Sequence, residues 1–336
     1  MSGLRYGVSG YRHLPITRHS RIGRPTVVPV VRRNPAMHLL LPILATLIWA
    51  GNTIVSKLSA GAIEPAAISF YRWLVALLVL TPYMLPRVWK LRAQVRPYWR
   101  KLLVLSALGM VMYQSLAYFA AHSVSAMSMG LIVAAIPPMT MLIGMVVLKT
   151  RPSPGMLIGA VISFAGLSWL LSGGHPARLL QQGLGRGELM MLLAACSYAL
   201  YGVLVKRWAL PIPNGESLYL QIVCGTVLLL PGFLLAPSVA LTAHNLPLVL
   251  YAGVFASTLA PWFWMHGLLR LGADKTAVLM NLTPVFTAVF AVLLLGEPLQ
   301  IYHWIGGGLT LLGVATAQAL RQKPALALPT TRECAG

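Results

Sequence analysis

The chain has 336 residues, 57% of them hydrophobic and only 10% charged, with 26 Lys and Arg against six Asp and Glu. A soluble domain carries about 25% charged residues, so this composition excludes an ordinary water-soluble fold. The net charge of +20 does not indicate a nucleic-acid partner, because the basic residues fall in short segments between long apolar runs, which is how membrane topology is encoded.

Residues 1–37 hold seven Arg and no acid and are expected to form a disordered cytoplasmic tail. A transit peptide, or a start at Met37, stays open. The first apolar run continues from Leu39 to about Val55 and reads as an uncleaved span at 39–56, not a signal peptide. Further spans are predicted at 66–85, 102–121, 126–147, 155–172, 188–205, 216–236, 247–269, 276–295 and 300–320. Runs of about 18–22 residues cross a ~30 Å hydrocarbon core at ~1.5 Å per residue. The predicted organisation is a tail (1–37), a five-helix repeat (38–172), an outer linker (173–187), a second five-helix repeat (188–320) and a cytoplasmic C-terminal tail (321–336).

With the N-terminus in the cytoplasm, 22 of the 26 Lys and Arg lie in cytoplasmic segments. Three lie outside (Lys57, Arg178 and Arg186), and Arg72 lies within a span. The positive-inside bias therefore predicts a multi-pass inner-membrane protein with both termini cytoplasmic.

The two halves repeat. Trp49-Ala-Gly-Asn-Thr-Ile-Val-Ser-Lys57 aligns with Tyr198-Ala-Leu-Tyr-Gly-Val-Leu-Val-Lys206, and Pro82 with Pro231, at one shift. Leu-Val-Leu at 103–105 aligns with 248–250, and Pro137 and Gly159 with Pro284 and Gly306, at slightly smaller shifts. A five-span unit has an odd number of crossings, so its second copy enters the membrane inverted. The expected fold class is an all-α membrane protein of ten transmembrane helices in two inverted five-helix repeats, an arrangement suited to alternating access.

These motifs resemble the drug/metabolite transporter superfamily, specifically proteins with two EamA-type domains, over roughly residues 38–321. The resemblance rests on Trp49-Ala50-Gly51-Asn52 leading to Lys57, on Pro65 and Arg72 in the second span, and on Pro137-Pro138 and Asn281-Leu282-Thr283-Pro284 in each fourth span. Leu295-Gly296-Glu297-Pro298 closes the set. The first half departs from the pattern, with Thr150-Arg151 where Gly-Glu is usual. The resemblance implies secondary transport, usually export, of small metabolites, amino acids or drugs.

The six acids (Glu64, Glu188, Glu216, Asp274, Glu297, Glu333) fall at or near span ends. No clustered carboxylates could hold Mg²⁺, and no phosphate-binding Gly-rich loop ends in Lys-Ser/Thr. Cys196, Cys224 and Cys334 have no metal-ligand spacing. No catalytic residue, metal or cofactor is expected. A membrane enzyme acting on a lipid-linked substrate is the alternative reading, and the sequence offers no convincing catalytic set for it. The expected partners are a small-molecule substrate and the lipid bilayer, not nucleic acid; a homodimer stays open.

Polar residues recur at helical spacing inside the spans: Gln114, Tyr118 and His122 in the third, and Thr258, Trp262 and His266 in the eighth. Trp49, Asn52 and Ser56 share a face of the first, and Tyr198 and Tyr201 one of the sixth; Asn281 precedes Pro284 in the ninth. Polar groups are costly against lipid, yet each stripe also reads as ordinary interhelical hydrogen bonding. The candidate substrate-binding residues are Trp49, Asn52, Arg72, Gln114, Tyr118, Tyr201, Trp262 and Asn281. Arg72 is the sharpest signal, as a charge about seven residues into its span. It is a candidate for binding a substrate carboxylate or for coupling to Glu64, and its alternative is to snorkel outward onto carbonyls. Its repeat counterpart is the neutral Gln221. Pro137, Pro138, Pro261 and Pro284 should free the carbonyls of Val133, Ala134, Ser257 and Met280. The small-residue face of Gly155, Gly159 and Ser163, and the run Gly306-Gly307-Gly308, are expected to pack helices away from the cavity.

Overall fold

The computed structural model describes residues 35–177, 181 and 183–320. Residues 1–34, 178–180, 182 and 321–336, and with them most of the predicted N-terminal tail, all of the predicted C-terminal tail, Arg178, Glu333 and Cys334, lie outside the described residues. Ten helical crossings follow the predicted order. They are α1 (Pro35–Ser59), α2 (Pro65–Lys90), α3 (Trp99–Ser106 continuing to Tyr113–Ala120), α4 (Ala126–Val133 and Ile136–Val147) and α5 (Pro154–Leu171). The second half supplies α6 (Arg186–Trp208), α7 (Asn214–Leu234), α8 (Leu246–Leu250 continuing to Ala260–Leu271), α9 (Ala273–Leu279 and Leu282–Leu295) and α10 (Ile301–Ala319). Among the described residues, nine helices are long and apolar enough to cross a membrane. The tenth, α10, is more polar, with His303, Thr310, Thr316 and Gln318 along it.

Local chemistry sets the boundaries. Pro65 and Pro154 occupy first helical turns, where the missing N–H costs nothing. Ser125 and Ser153 cap α4 and α5, their hydroxyls accepting from the backbone N–H of Ser128 and Met156. α4 breaks at Ala134–Ala135, ahead of Pro137 and Pro138, and α9 breaks at Met280–Asn281, ahead of Pro284. A proline removes one helical hydrogen bond and crowds the carbonyl four residues back, so both breaks fall where the prolines require them. The Met280 carbonyl is not free, however: it accepts from Thr283 N–H at 3.0 Å.

α3 and α8 are irregular in the same way. Ala107–Met112 in α3 and Tyr251–Leu259 in α8 are π-helical. The i→i+5 pattern shows in the side chains, with Ser257 and Thr258 hydroxyls donating to carbonyls five residues back. Each π segment has a glycine in third place, Gly109 and Gly253. A Cβ on Gly109 would meet the Tyr201 ring of α6 at 2.9 Å, and one on Gly253 would meet Val75 of α2 at 2.6 Å.

Packing repeats with the sequence. α1 lies on α8 and α9 as α6 lies on α3 and α4, and α2 meets α8 as α7 meets α3. α2 also pairs with α7, and α5 with α10, across the halves. The α5–α10 contact is backbone on backbone: a Cβ on Gly159 would stand 2.5 Å from the Gly313 carbonyl, and one on Gly166 2.5 Å from Thr310 N. Small residues permit this approach, and dispersion over the touching backbones holds the pair. This is the packing role expected for Gly159 and Gly306.

Odd-numbered helices run from the face where α1 begins, the near face, to the opposite far face. The largest apolar core sits toward the far face, with Ile54, Ala120, Val124, Met127, Leu170 and Met191 among its buried members.

Candidate functional site

Arg72 is the centre of a polar cluster inside the bundle. It lies seven residues into α2, about 10 Å along the helix from its far end, and is 2% exposed. Its Nε and Nη2 donate to Ser257 Oγ of α8 at 3.0 and 2.8 Å. Its Nη1 donates to Gln114 Oε1 at 2.5 Å and to Tyr118 Oη at 3.2 Å, both on α3. The guanidinium carbon also stands 5.0 Å from the Trp73 ring centre and 5.9 Å from that of Tyr118, within cation–π range.

Ser257 is oriented to accept. Its hydroxyl proton is committed to the Ala252 carbonyl at 2.8 Å, the π-helical partner, which leaves its lone pairs for Arg72. The cluster therefore joins helices of both halves around one positive charge whose hydrogen-bond partners are all neutral. Two of the three expectations for Arg72, coupling to Glu64 and snorkelling onto carbonyls, differ from what the structure shows. Arg72 does not snorkel to the surface, and its partners are hydroxyls and an amide, not Glu64 or backbone carbonyls.

α1 grips the neighbouring turn of α8. Trp49 Nε1 donates to the Ala256 carbonyl at 3.1 Å, and the Tyr251 hydroxyl donates back to Ile48 O at 3.1 Å. Asn52, one turn along from Trp49, has its side-chain oxygen buried with no hydrogen-bond partner among the described residues. Ser115 Oγ, beside Gln114, is in the same condition. On the α6 side, Tyr113, Tyr198 and Tyr201 form a row of tilted rings, with centres 4.6 and 5.4 Å apart.

Two expected site residues lie elsewhere. Trp262 is 53% exposed and packs against His266 at a tilt, 4.2 Å between ring centres. Asn281 donates to Gln318 Oε1 of α10 at 3.2 Å, an interhelical bond. The indole that reaches α1 is Trp264, 5.4 Å from Trp49. Ser257 and Trp264 escape a sequence reading because the π segment adds a residue per turn, so stripes drawn at i, i+4 through α8 follow the wrong face. His122 is exposed at the end of α3, as boundary solvation predicts.

Lys57 and Glu297 have defined partners as well. Lys57 Nζ donates to the carbonyls of Ala121 and Val124 at 2.8 and 2.9 Å. The Glu297 carboxylate accepts from the backbone N–H of Ala126 and Met127 at 2.7 and 3.0 Å. A groove of about 420 Å³ between α4, α9 and α10, walled by residues such as Leu131, Val289 and Trp304, is almost wholly apolar. It lies apart from the Arg72 cluster and lacks the polar groups that orient a zwitterionic solute.

Among the described residues no group of His, Cys, Asp and Glu is arranged to hold a metal ion. The model of the EamA-like transporter family matches residues 36–172 and 185–317, one copy per half. An uncharacterized transporter of Archaeoglobus fulgidus is 28% identical over 287 residues, covering 84% of this chain and 96% of that protein. A probable terminal-alkyne amino-acid exporter of Streptantibioticus cattleyicolor is 27% identical, covering 62% of this chain and 69% of that one. A solved crystal structure superposes with a TM-score of 0.61 at 19% identity, covering 87% of this chain and all of that one, which shows the fold. Repeat, helix order and family match agree on a multi-pass membrane transporter rather than an enzyme, and the chain belongs to the EamA-like transporter family.

Proposed function

We propose that the protein exports small solutes bearing a carboxylate, amino acids and related metabolites foremost, across the inner membrane by alternating access. The near face is cytoplasmic in this reading, since it carries the basic loops. The observation that carries the proposal is the Arg72 guanidinium, buried among neutral partners from α3 and α8. A buried charge without a counter-ion is costly. A solute carboxylate taking over the Gln114 and Ser257 positions would supply the missing charge in bidentate geometry. The unpartnered Asn52 and Ser115 oxygens and the Tyr113–Tyr198–Tyr201 row suit the ammonium and side chain of such a solute. The amino-acid exporter among the relatives points to the same solute class.

The test is counterflow of labelled amino acids in proteoliposomes, with and without a pH gradient. Arg72→Gln should lower flux at least tenfold at unchanged protein level. Arg72→Lys should lower it as well, because an ammonium cannot reproduce the planar fork. Unchanged flux in Arg72→Lys overturns the role of Arg72. The absence of flux for every carboxylate solute, in well-folded protein, overturns the substrate class.

A further inference from the structure

The repeat symmetry breaks sharply at one place, the far-face turn joining α3 to α4. Two side chains from outside that turn hold it. Lys57, at the end of α1, donates to the carbonyls of Ala121 and Val124, in the turn that follows α3. Glu297, in the connection between α9 and α10, accepts from the N–H of Ala126 and Met127, which open α4. The chemistry is matched at both ends: a cation on the carbonyl end of one helix and an anion on the N–H end of the next. Charge-assisted hydrogen bonds of this kind are about twice as strong as neutral ones. Glu297 reaches the turn from the opposite half of the chain, so the clasp ties the halves together.

The residues that correspond to the clasp differ on the near face. The counterpart of Lys57 is Lys206, which is exposed. At the position of Glu297 stands Arg151, also exposed. A guanidinium has no acceptor atom and cannot take backbone N–H bonds, so Arg151 cannot do there what Glu297 does at the far turn.

Packing below the turns differs in the same sense. On the far half, buried Gly130 of α4 lies against Thr287 of α9, which is 0% exposed; a Cβ on Gly130 would come within 2.8 Å of the Thr287 Cβ. Their counterparts on the near half are Ala277, which is exposed, and Thr140, which is half-buried.

We infer that Lys57 and Glu297 form a far-side gate clasp, and that this clasp holds the transporter in a resting state closed at the far face and open at the near face. Lys57 and Glu297 are positioning residues: they act on the turn, and through it on the Gly130–Thr287 contact, not on solute. The inference rests on the alternating-access reading, but its test needs no solute, so a failure of the substrate assignment leaves it standing.

The experiment uses the full chain in a cysteine-free background (Cys196→Ser, Cys224→Ala, Cys334→Ser). Thr287→Cys reports the far half and Thr140→Cys the near half. A membrane-impermeant maleimide is added to right-side-out vesicles for the far face and to inverted vesicles for the near face. With the clasp intact, Thr287→Cys should label slowly and Thr140→Cys quickly. In Glu297→Ala, and separately in Lys57→Met, labelling of Thr287→Cys should rise at least tenfold while labelling of Thr140→Cys falls. That reciprocal change is what rocking produces and local unfolding does not. Unchanged labelling at Thr287→Cys, or a rise at both positions, overturns the gate.

Discussion

Arg72 and Ser257 are 185 residues apart in the chain, yet they share two hydrogen bonds, and those bonds join α2 of one repeat to α8 of the other. Ser257→Ala would leave both Nε and Nη2 without this acceptor in a buried site. Hydrogen bonds to charged groups contribute about 1.5–3 kcal/mol each. The expected outcome is a loss of about 2 kcal/mol of stability, read as a lower unfolding temperature in detergent. Ser257→Thr keeps the hydroxyl and should stay near the parent value.

Close packing of α5 on α10 makes a second prediction. Gly159→Leu drives a side chain into the backbone of Gly313 and Ala317. Overpacking costs about 1–3 kcal/mol and sometimes more, and here the neighbour is backbone that cannot rotate away. Gly308, on the same helix as Gly313, has nothing within 4 Å of an added Cβ. Gly308→Ala should be neutral or stabilising by up to about 1 kcal/mol, since Ala is the better helix former. Parallel unfolding curves of the two variants check the contrast.

Gly51 and Tyr251 should be energetically coupled. A Cβ on Gly51 would collide with the Tyr251 hydroxyl, the group that donates to Ile48 O. Gly51→Ala should therefore destabilise. Tyr251→Phe removes the bond and the nearest obstacle, leaving the ring carbon Cζ at 3.1 Å, so the double variant should be more stable than the two single losses predict. A double-mutant cycle should show about 0.5–3 kcal/mol of interaction; strict additivity would mean that the two helices part when either residue changes.

Orientation has its own check. With the near face cytoplasmic, green fluorescent protein fused after Gly336 should fluoresce in cells, and alkaline phosphatase at the same point should be inactive. The opposite pair of results would place the C-terminus outside.

The ten crossings, the two-fold repeat and the helix breaks near Ala134 and Met280 were legible in the sequence. Each follows from a local rule: apolar length, charge bias, or a proline that cannot donate. The polar centre was legible only in part. Arg72, Gln114 and Tyr118 meet as their spacing in α2 and α3 suggests, because Gln114 and Tyr118 lie beyond the π segment of α3, on one regular stretch. The α8 partners were not legible, since a π segment has no residue signature that a 3.6-residue period can detect. Trp264, not Trp262, makes the contact with Trp49. The clasp was hidden for a different reason: the Glu297 bonds to Ala126 and Met127 span 171 and 170 residues and end on backbone, which carries no side-chain clue.

The paired π segments bear on how the protein arose. Each half has a π segment shortly behind its Leu-Val-Leu, Ala107–Met112 in one and Tyr251–Leu259 in the other, although lengths and glycine positions differ by at least one residue. A single ancestral five-helix gene that already contained the widened turn explains both at once. Duplication then copied the irregularity, and the later divergence is the part that differs between the copies, with a charge at Arg72 and an amide at Gln221.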